Sequence, residues 1–328
     1  DIGTHFRRGV ALRRARSFEE AQREFEGVAE IDPDYPGLAL EWGLLFEASG
    51  RSEEALASYE SALGKAPDDP DLMLRVGCGK AKAGQTDTAV ELLKKVLSQR
   101  PNSAETNHCL GRALLFGDND VREAMRYLDR AVMLDGNRAE HHLYVGWAAN
   151  EARDPAKAER ALTRALELDQ TLAEAYWQRG VLRNRQGAVK DALLDLHRAL
   201  EMNPSRYETH ASLAEAYFNL GREQEALNHW RLAVTSGPGE PVWHYRYGKM
   251  LFDNRQVAAA REQLDLAVST GEKATRKPVW LWEAHRLLAL TIGRHPDAIP
   301  HWQAYLVNSD SNSPYRAEAM RALKSLQP

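Results

Sequence analysis

Small and apolar residues recur along this chain with two superimposed periods. Within residues 207 to 240, Leu213, Ala214 and Tyr217 stand at helical spacing, and so do Ala226, Trp230 and Ala233. Gly221 and a run of charged residues separate the two sets, and Pro238 closes the stretch. Spacings of three and four put side chains on one helix face, so the stretch predicts helix, tight turn, helix. The longer period is 34 residues. Ala21, Ala55, Ala89, Ala124, Ala158, Ala192, Ala226 and Ala260 follow one another at steps of 34, with a single step of 35. A second series runs in phase with them: Gly9, Gly43, Gly77, Gly111, Gly146, Gly180, Ala214 and Gly248. Two small-residue series locked at one period imply one structural unit copied about eight times, which is the mark of a solenoid. The small residues let paired helices approach closely. A large side chain at either place would wedge them apart, at a cost of about 1–3 kcal/mol.

Numbered from the first helix, the units begin at residues 2, 36, 70, 104, 139, 173, 207 and 241. Position 24 carries Phe25, Tyr59, Leu93, Leu162, Leu196, Trp230 and Leu264, with Leu128 one place late. Position 32 carries Pro33, Pro67, Pro101, Pro204 and Pro238, while Gly136 and Gln170 depart from the pattern. Position 4 is histidine in four units: His5, His142, His210 and His244. With small residues at positions 8 and 20, this pattern closely resembles the tetratricopeptide repeat, whose position 4 is otherwise a bulky residue such as Trp. The resemblance covers roughly residues 2–274. It implies an all-α, α-α superhelix: a right-handed solenoid of about eight to nine helix-turn-helix repeats with a C-terminal capping helix. The expected units within 1–274 are 2–35, 36–69, 70–103, 104–138, 139–172, 173–206, 207–240 and 241–274. The fourth holds one extra residue near Gly117-Asp118-Asn119-Asp120, at its inter-helix turn.

Past residue 274 the register blurs. Gly271 to Lys277 is a polar insertion, and 275–312 reads as a degenerate ninth repeat. Its helices are expected at Trp280–Ile292 and Asp297–Asn308, with Ala298, Trp302 and Tyr305 resembling positions 20, 24 and 27. Ser313 and Pro314 then suit the N-cap and first position of a capping helix over 313–328. Tyr315, Ala319, Ala322, Leu323 and Leu326 would form its apolar face, covering the exposed end of the stack.

Bulk properties exclude more than they assign. A net charge of −4 over 328 residues gives no case for nucleic acid. No apolar run approaches the roughly 18 residues of a spanning helix, so membrane insertion is not expected. Two cysteines exclude a disulfide framework. Cys78 and Cys109 occupy non-equivalent positions 31 residues apart, a spacing that does not promise the Cα approach of about 7 Å a bond requires. Opening at Asp1, inside a first helix without a capping element, the chain reads as a segment of a longer protein. It carries no localisation signal, and the cytoplasm is favoured. The open first unit makes self-association an expectation. Arg outnumbers Lys about threefold, an association with bacterial genomes rich in G and C.

In the resembled family the first helix of each repeat lines the concave face, and positions 2, 5, 9 and 12 point into it. The expected partner-binding residues are therefore His108 and Arg112 of unit four, Trp147 and Asn150 of unit five, and Trp177 and Asn184 of unit six. Glu215, Phe218 and Asn219 of unit seven and Tyr245, Lys249 and Phe252 of unit eight complete the set. The aromatics concentrate in units five to eight, and exposed aromatics with polar neighbours are the usual hot-spot residues. Trp147 and Trp177 also have a packing reading, against neighbouring first helices. Asn150, Asn184 and Asn219 suit either a ladder pairing with a peptide backbone or simple helix C-terminal chemistry. Asp71, Glu105, Glu140, Glu174 and Glu208 at position 2 form either an acidic rim or a complement to the helix dipoles. Chaperone-binding members of the family hold a terminal carboxylate with Lys at position 5 and Asn at position 9 of one unit. No unit here carries that pair, so a co-chaperone role is not expected.

No phosphate loop, nucleophile elbow or paired-carboxylate constellation stands in the chain. The eleven histidines show no ligand spacing with Cys, Asp or Glu. No catalytic residue, metal or cofactor is expected. Three functions remain: a non-catalytic scaffold binding a peptide or partner protein in the concave groove, as in bacterial pilus, polarity or motility complexes; the substrate-recruiting arm of an enzyme whose catalytic domain lies elsewhere; and a self-assembling scaffold.

Overall fold

A large side chain at position 24 and the absence of one at position 8 account for the pairing of helices. In a computed structural model of the chain, a Cβ on Gly77 would stand 2.7 Å from Leu93 Cγ, and one on Gly180 2.7 Å from Leu196 Cγ. The position-24 side chain thus lies directly against the backbone of the partner helix. Phe25, Leu93, Leu128, Leu162, Leu196 and Leu264 are each fully buried there. Ala21, Ala89, Ala124, Ala158, Ala192, Ala226 and Ala260 are also fully buried. Any added methylene at these places meets an interior packed to crystal-like density.

Residues 1–117, 120–237 and 239–326 are described. The extra residue expected near Asp118-Asn119, and Pro238, lie outside them. Among the described residues there are nineteen α-helices and no strand. Two compact units divide the chain, Asp1–Gln170 and Thr171–Pro328.

The first unit contains α1 (Ile2–Arg14), α2 (Phe18–Ile31), α3 (Leu38–Ala48), α4 (Ser52–Lys65), α5 (Pro70–Lys82), α6 (Thr86–Gln99), α7 (Ala104–Phe116), α8 (Val121–Leu134), α9 (Ala139–Glu151) and α10 (Pro155–Leu168). Odd-numbered helices are the first, or A, helices of their pairs; even-numbered ones are the B helices. Several starts are capped as the sequence chemistry requires. Asp69 accepts from the amides of Asp71 and Leu72, Ser103 from that of Thr106, and Asp120 from that of Glu123. The A-to-B turn demands one residue in the left-handed region at position 15. Gly50 and Gly84 supply it, but Arg16 (φ 62°) and Arg153 (φ 58°) hold the same conformation at a steric cost of about 1 kcal/mol each.

The second unit contains α11 (Ala173–Arg185), α12 (Val189–Met202), α13 (Tyr207–Asn219), α14 (Glu223–Ser236), α15 (Pro241–Asp253), α16 (Val257–Gly271), α17 (Leu281–Ile292), α18 (Ile299–Asn308) and α19 (Arg316–Leu326), with a 3-10 turn at Pro296–Ala298. Trp230 and Ala214, the one departure from Gly at position 8, are both buried in the same core. In the blurred region Ala298, Trp302 and Tyr305 are all buried.

The last helix departs from its expected start. It begins at Arg316 rather than at Pro314, and the Ser313 hydroxyl bonds to Tyr305 instead of capping a helix. Its expected apolar residues Ala319, Ala322, Leu323 and Leu326 pack with Trp302 and Tyr305, and beside them the Arg286 guanidinium, 8% exposed, lies 3.9 Å from the centre of the Tyr315 ring and bonds to Glu283 and Glu318.

Candidate functional site

Several consecutive A helices within a unit touch one another, and a recurring set of these contacts runs through position 6. In several pairs, position 6 of one A helix meets position 5, 9 or 12 of the A helix before it. Arg13 of α1 donates to Glu41 of α3 at 2.7 Å, and Arg75 of α5 donates to Glu47 of α3 at 2.9 Å. The indole N–H of Trp177 in α11 donates to Ser212 Oγ in α13 at 2.9 Å. Glu215 of α13 pairs with Arg246 of α15. The same offset sets Cys78 of α5 against Cys109 of α7, and the two form a disulfide with Cα atoms 5.2 Å apart. This corrects the expectation drawn from their spacing. Thirty-one residues is one repeat less three, and three residues is nearly one helical turn. The two cysteines face each other because their positions are displaced by nearly a turn.

In the first unit, three expected residues come together on α7 and α9. Arg112 places its guanidinium 5.2 Å from the centre of the Tyr144 ring. His108, one turn earlier, has its ring 4.9 Å from that of His141 and 5.1 Å, edge-on, from Tyr144. Burial pushes His108 down to about 3, helped by His141, Arg112, Arg138 and Lys82, so the ring stays neutral. Trp147 is half-buried, stacked on Tyr144 and edge-on to Phe116 at 4.8 Å. Phe116, at position 13, is 43% exposed. With Leu115, Gly117, Trp147 and Glu151 it lines an open depression of about 350 Å³. Asn150 is buried beneath this surface.

In the second unit, Glu215, Phe218, Asn219 and Lys249 come together around a pocket of about 290 Å³ between α13 and α15. Its floor is Trp230 and Met250, both buried, and Arg246 and Asp253 complete the rim. Phe218 is 55% exposed, a large apolar side chain turned outward where its helix row is open. Asn219 donates its side-chain amide to Asn184 Oδ1 at 3.0 Å, so two of the three asparagines pair with each other. Tyr245 is half-buried and stacked on Trp280 at 5.3 Å; burial pushes its hydroxyl up to about 12. Phe252 packs against the core of this unit. Trp177 is half-buried beneath the Arg206 guanidinium, 4.3 Å from its ring centre, besides its bond to Ser212.

Two tetratricopeptide-repeat family models match the chain, one over residues 6–70 and 185–241 and the other over 80–148. The chain belongs to the tetratricopeptide repeat family. No curated protein is similar enough in sequence to count as a relative. Solved tetratricopeptide-repeat structures share the fold. The hetero-tetramer of Cut9 and Hcn1 from the APC/C matches with a TM-score of 0.65 at 19% identity, over 98% of this chain and 63% of that one. Human IFIT1, as a dimer with m7Gppp-AAAA, matches with 0.59 at 17% identity, over 99% and 81%. A tetratricopeptide repeat protein from Parabacteroides merdae matches with 0.56 at 16% identity, over 78% and 98%. The fold of this tetratricopeptide repeat protein is that of a scaffold for peptides or other proteins.

Several histidines of this tetratricopeptide repeat protein join helices. His5 bonds to Glu24, His210 to His229 and His244 to Gln263, each joining position 4 to position 23 of the same repeat. His285 bonds to His301. Burial lowers His210 and His301 and carries His229 down to about 4. Among the described residues, no three His, Cys, Asp or Glu are arranged to hold a metal ion, and no helix is long and apolar enough to cross a membrane. Four of the five position-2 carboxylates are engaged by arginines: Asp71 by Arg100, Glu140 by Arg138, and Glu174 and Glu208 by Arg206. Sequence reasoning missed Phe116 and Tyr144, at positions 13 and 6, and the disulfide, which joins position 9 to position 6.

Proposed function

We propose that this protein is a non-catalytic interaction scaffold that receives a peptide or partner segment along its A helices. The observation that carries the reading is Phe218, exposed above an apolar floor of Trp230 and Met250. A concave, mostly apolar pocket ringed by a few polar groups is the usual form of a recognition site. The test is peptide display against the full chain, with enriched sequences remeasured on Phe218→Asp and on Phe116→Asp. Binders that lose affinity to either variant support the reading. Binders indifferent to both would move recognition to the B helices or the loops and sink it.

We further propose an oxidising compartment in place of the cytoplasm favoured from sequence. What supports this is the Cys78–Cys109 bond, because cytosolic reductants keep most thiols reduced. Differential alkylation in the source cells tests it; recovery of both cysteines as free thiols would refute it.

A further inference from the structure

Several charges on the A helices are cancelled from within. At the offset that joins neighbouring A helices, Arg13 meets Glu41, Arg75 meets Glu47 and Arg246 meets Glu215. Arg112 occupies position 9 of α7, the place that Glu215 holds on α13. Facing it at position 6 of α9 is Tyr144, which carries no charge. Arg112 forms no ion pair among the described residues, and its Nε is buried without a hydrogen-bond partner. The Nδ1 of His108 one turn away is also buried and unpartnered. A guanidinium stays charged at any physiological pH, so half-burying it without a counter-ion is costly. The aromatic face of Tyr144 compensates only part of that cost.

We infer that Arg112 is the anchor for a carboxylate supplied from outside, on a partner segment in which an Asp or Glu is followed by an aromatic or large aliphatic side chain. The inference rests on the reading that A helices receive a partner. Charge complementarity selects the acid. Besides Arg112, Lys82 bears on His108 and forms no ion pair among the described residues, so the local field is positive. Guanidinium and carboxylate match as a two-bond fork, which gives direction as well as attraction. The neighbouring depression selects the second side chain, because Phe116 and Trp147 present a ring and a ring edge to it. Glu151 also lines the depression, and its charge sets the order. A carboxylate placed over it would be repelled, so the acid sits toward Arg112 and the apolar group toward Phe116.

The test uses the full chain and four labelled nonapeptides in a Gly/Ser background, with central Asp-Phe, Asn-Phe, Asp-Ala and Lys-Phe, read by fluorescence polarisation. The expected order is Asp-Phe first, with Asn-Phe and Lys-Phe at least tenfold weaker, and with binding that declines as salt rises. Arg112→Gln is expected to erase the preference for Asp over Asn while helix content and melting stay as in the parent. Arg112→Lys should keep part of the preference, and Leu194→Ala, at an exposed B-helix position of the other unit, should leave it intact. Equal binding of Asp-Phe and Asn-Phe, or an Asp preference that survives Arg112→Gln, overturns the inference but leaves the scaffold reading standing. If none of the peptides binds while oligouridylate does so in an Arg112-dependent way, the ligand is a phosphate backbone and the inference fails. Binding of display-selected peptides that no A-helix variant disturbs removes both readings.

Discussion

Breaking the disulfide between α5 and α7 should soften the first unit by an amount its loop length sets. Cys78 and Cys109 close a loop across a sequence separation of 31 residues. The chain-entropy relation for a loop of that size gives a stabilisation of about 3–4 kcal/mol, exerted on the unfolded ensemble. The folded state should change little on reduction. Cys109 stays buried in the core that holds Leu110, Ala113 and Leu128, and Cys78 stays packed against it. The difference therefore appears in stability rather than in secondary structure. With a urea slope of about 2 kcal/mol/M for a unit of this size, the midpoint of the first transition should fall by about 1.5–2 M. Urea titrations of the oxidised protein, of the protein kept in a phosphine reductant, and of Cys78→Ala/Cys109→Ala would measure it. Hydrogen exchange should localise the change to α5, α6 and α7, because repeats couple chiefly to their neighbours. Coincident midpoints for all three samples would refute the argument. Two free thiols titrated in the untreated native protein would refute the cross-link itself.

Ala192→Leu should lower stability by about 1–3 kcal/mol, since Ala192 is fully buried where α12 meets α11; an unchanged melt would mean the repeat register is wrong. Burial holds His108 at about 3 and His229 at about 4 and lowers His197, His210, His285 and His301, so the unfolded chain takes up protons first. Stability should then be complete above about pH 6.5 and decline toward pH 4; urea midpoints that stay constant across that window would contradict the assignment. Trp177→Ala should destabilise the second unit by about 2 kcal/mol, through its lost bond to Ser212 and lost packing, whereas Phe218→Ala should leave the melt within about 0.5 kcal/mol of the parent. The reverse ranking in thermal denaturation would show that the roles of these two rings have been exchanged.

What could be read from the sequence is what lies inside one repeat. The nesting of Leu93 against Gly77, or of Leu196 against Gly180, joins two positions sixteen residues apart on one helix pair, and six of the eight copies show it at that spacing. The A-helix positions of Arg112, Phe218 and Lys249 were likewise legible from helical spacing alone. What was not legible lies between repeats. Trp177 stands at a groove position by its number, yet its indole N–H is held by Ser212 of the next A helix. The disulfide was dismissed because positions 9 and 6 are not equivalent, although Glu215 and Arg246 show that those two positions meet. The start of α19 was misread for a related reason. Ser313 and Pro314 suit a helix start locally, but Ser313 is drawn to Tyr305 of the neighbouring helix. In each case a contact formed by stacking decided against a local preference.

The offset has a consequence for how such a surface acquires specificity. A charge at position 9 or 12 does not belong to the groove outright, because position 6 of the following repeat reaches it first. Glu47 and Glu215 are bound in this way to arginines of their neighbours, and their charges are largely cancelled before a partner arrives. The field a ligand meets is the remainder after this internal pairing. Specificity can then change without touching a groove residue. Replacing Tyr144 by Glu would be expected to quench Arg112 by the pairing that now joins Glu215 and Arg246, and so to remove an acid-binding anchor from a position behind it. Conversely, Arg246→Tyr would release Glu215 and give the α13–α15 pocket a preference for a basic side chain. Measuring the charge preference of peptides against these two variants separates a surface defined by its own side chains from one defined by the mismatch between neighbours. If both variants bind as the parent does, the groove residues act alone and the offset governs stability only.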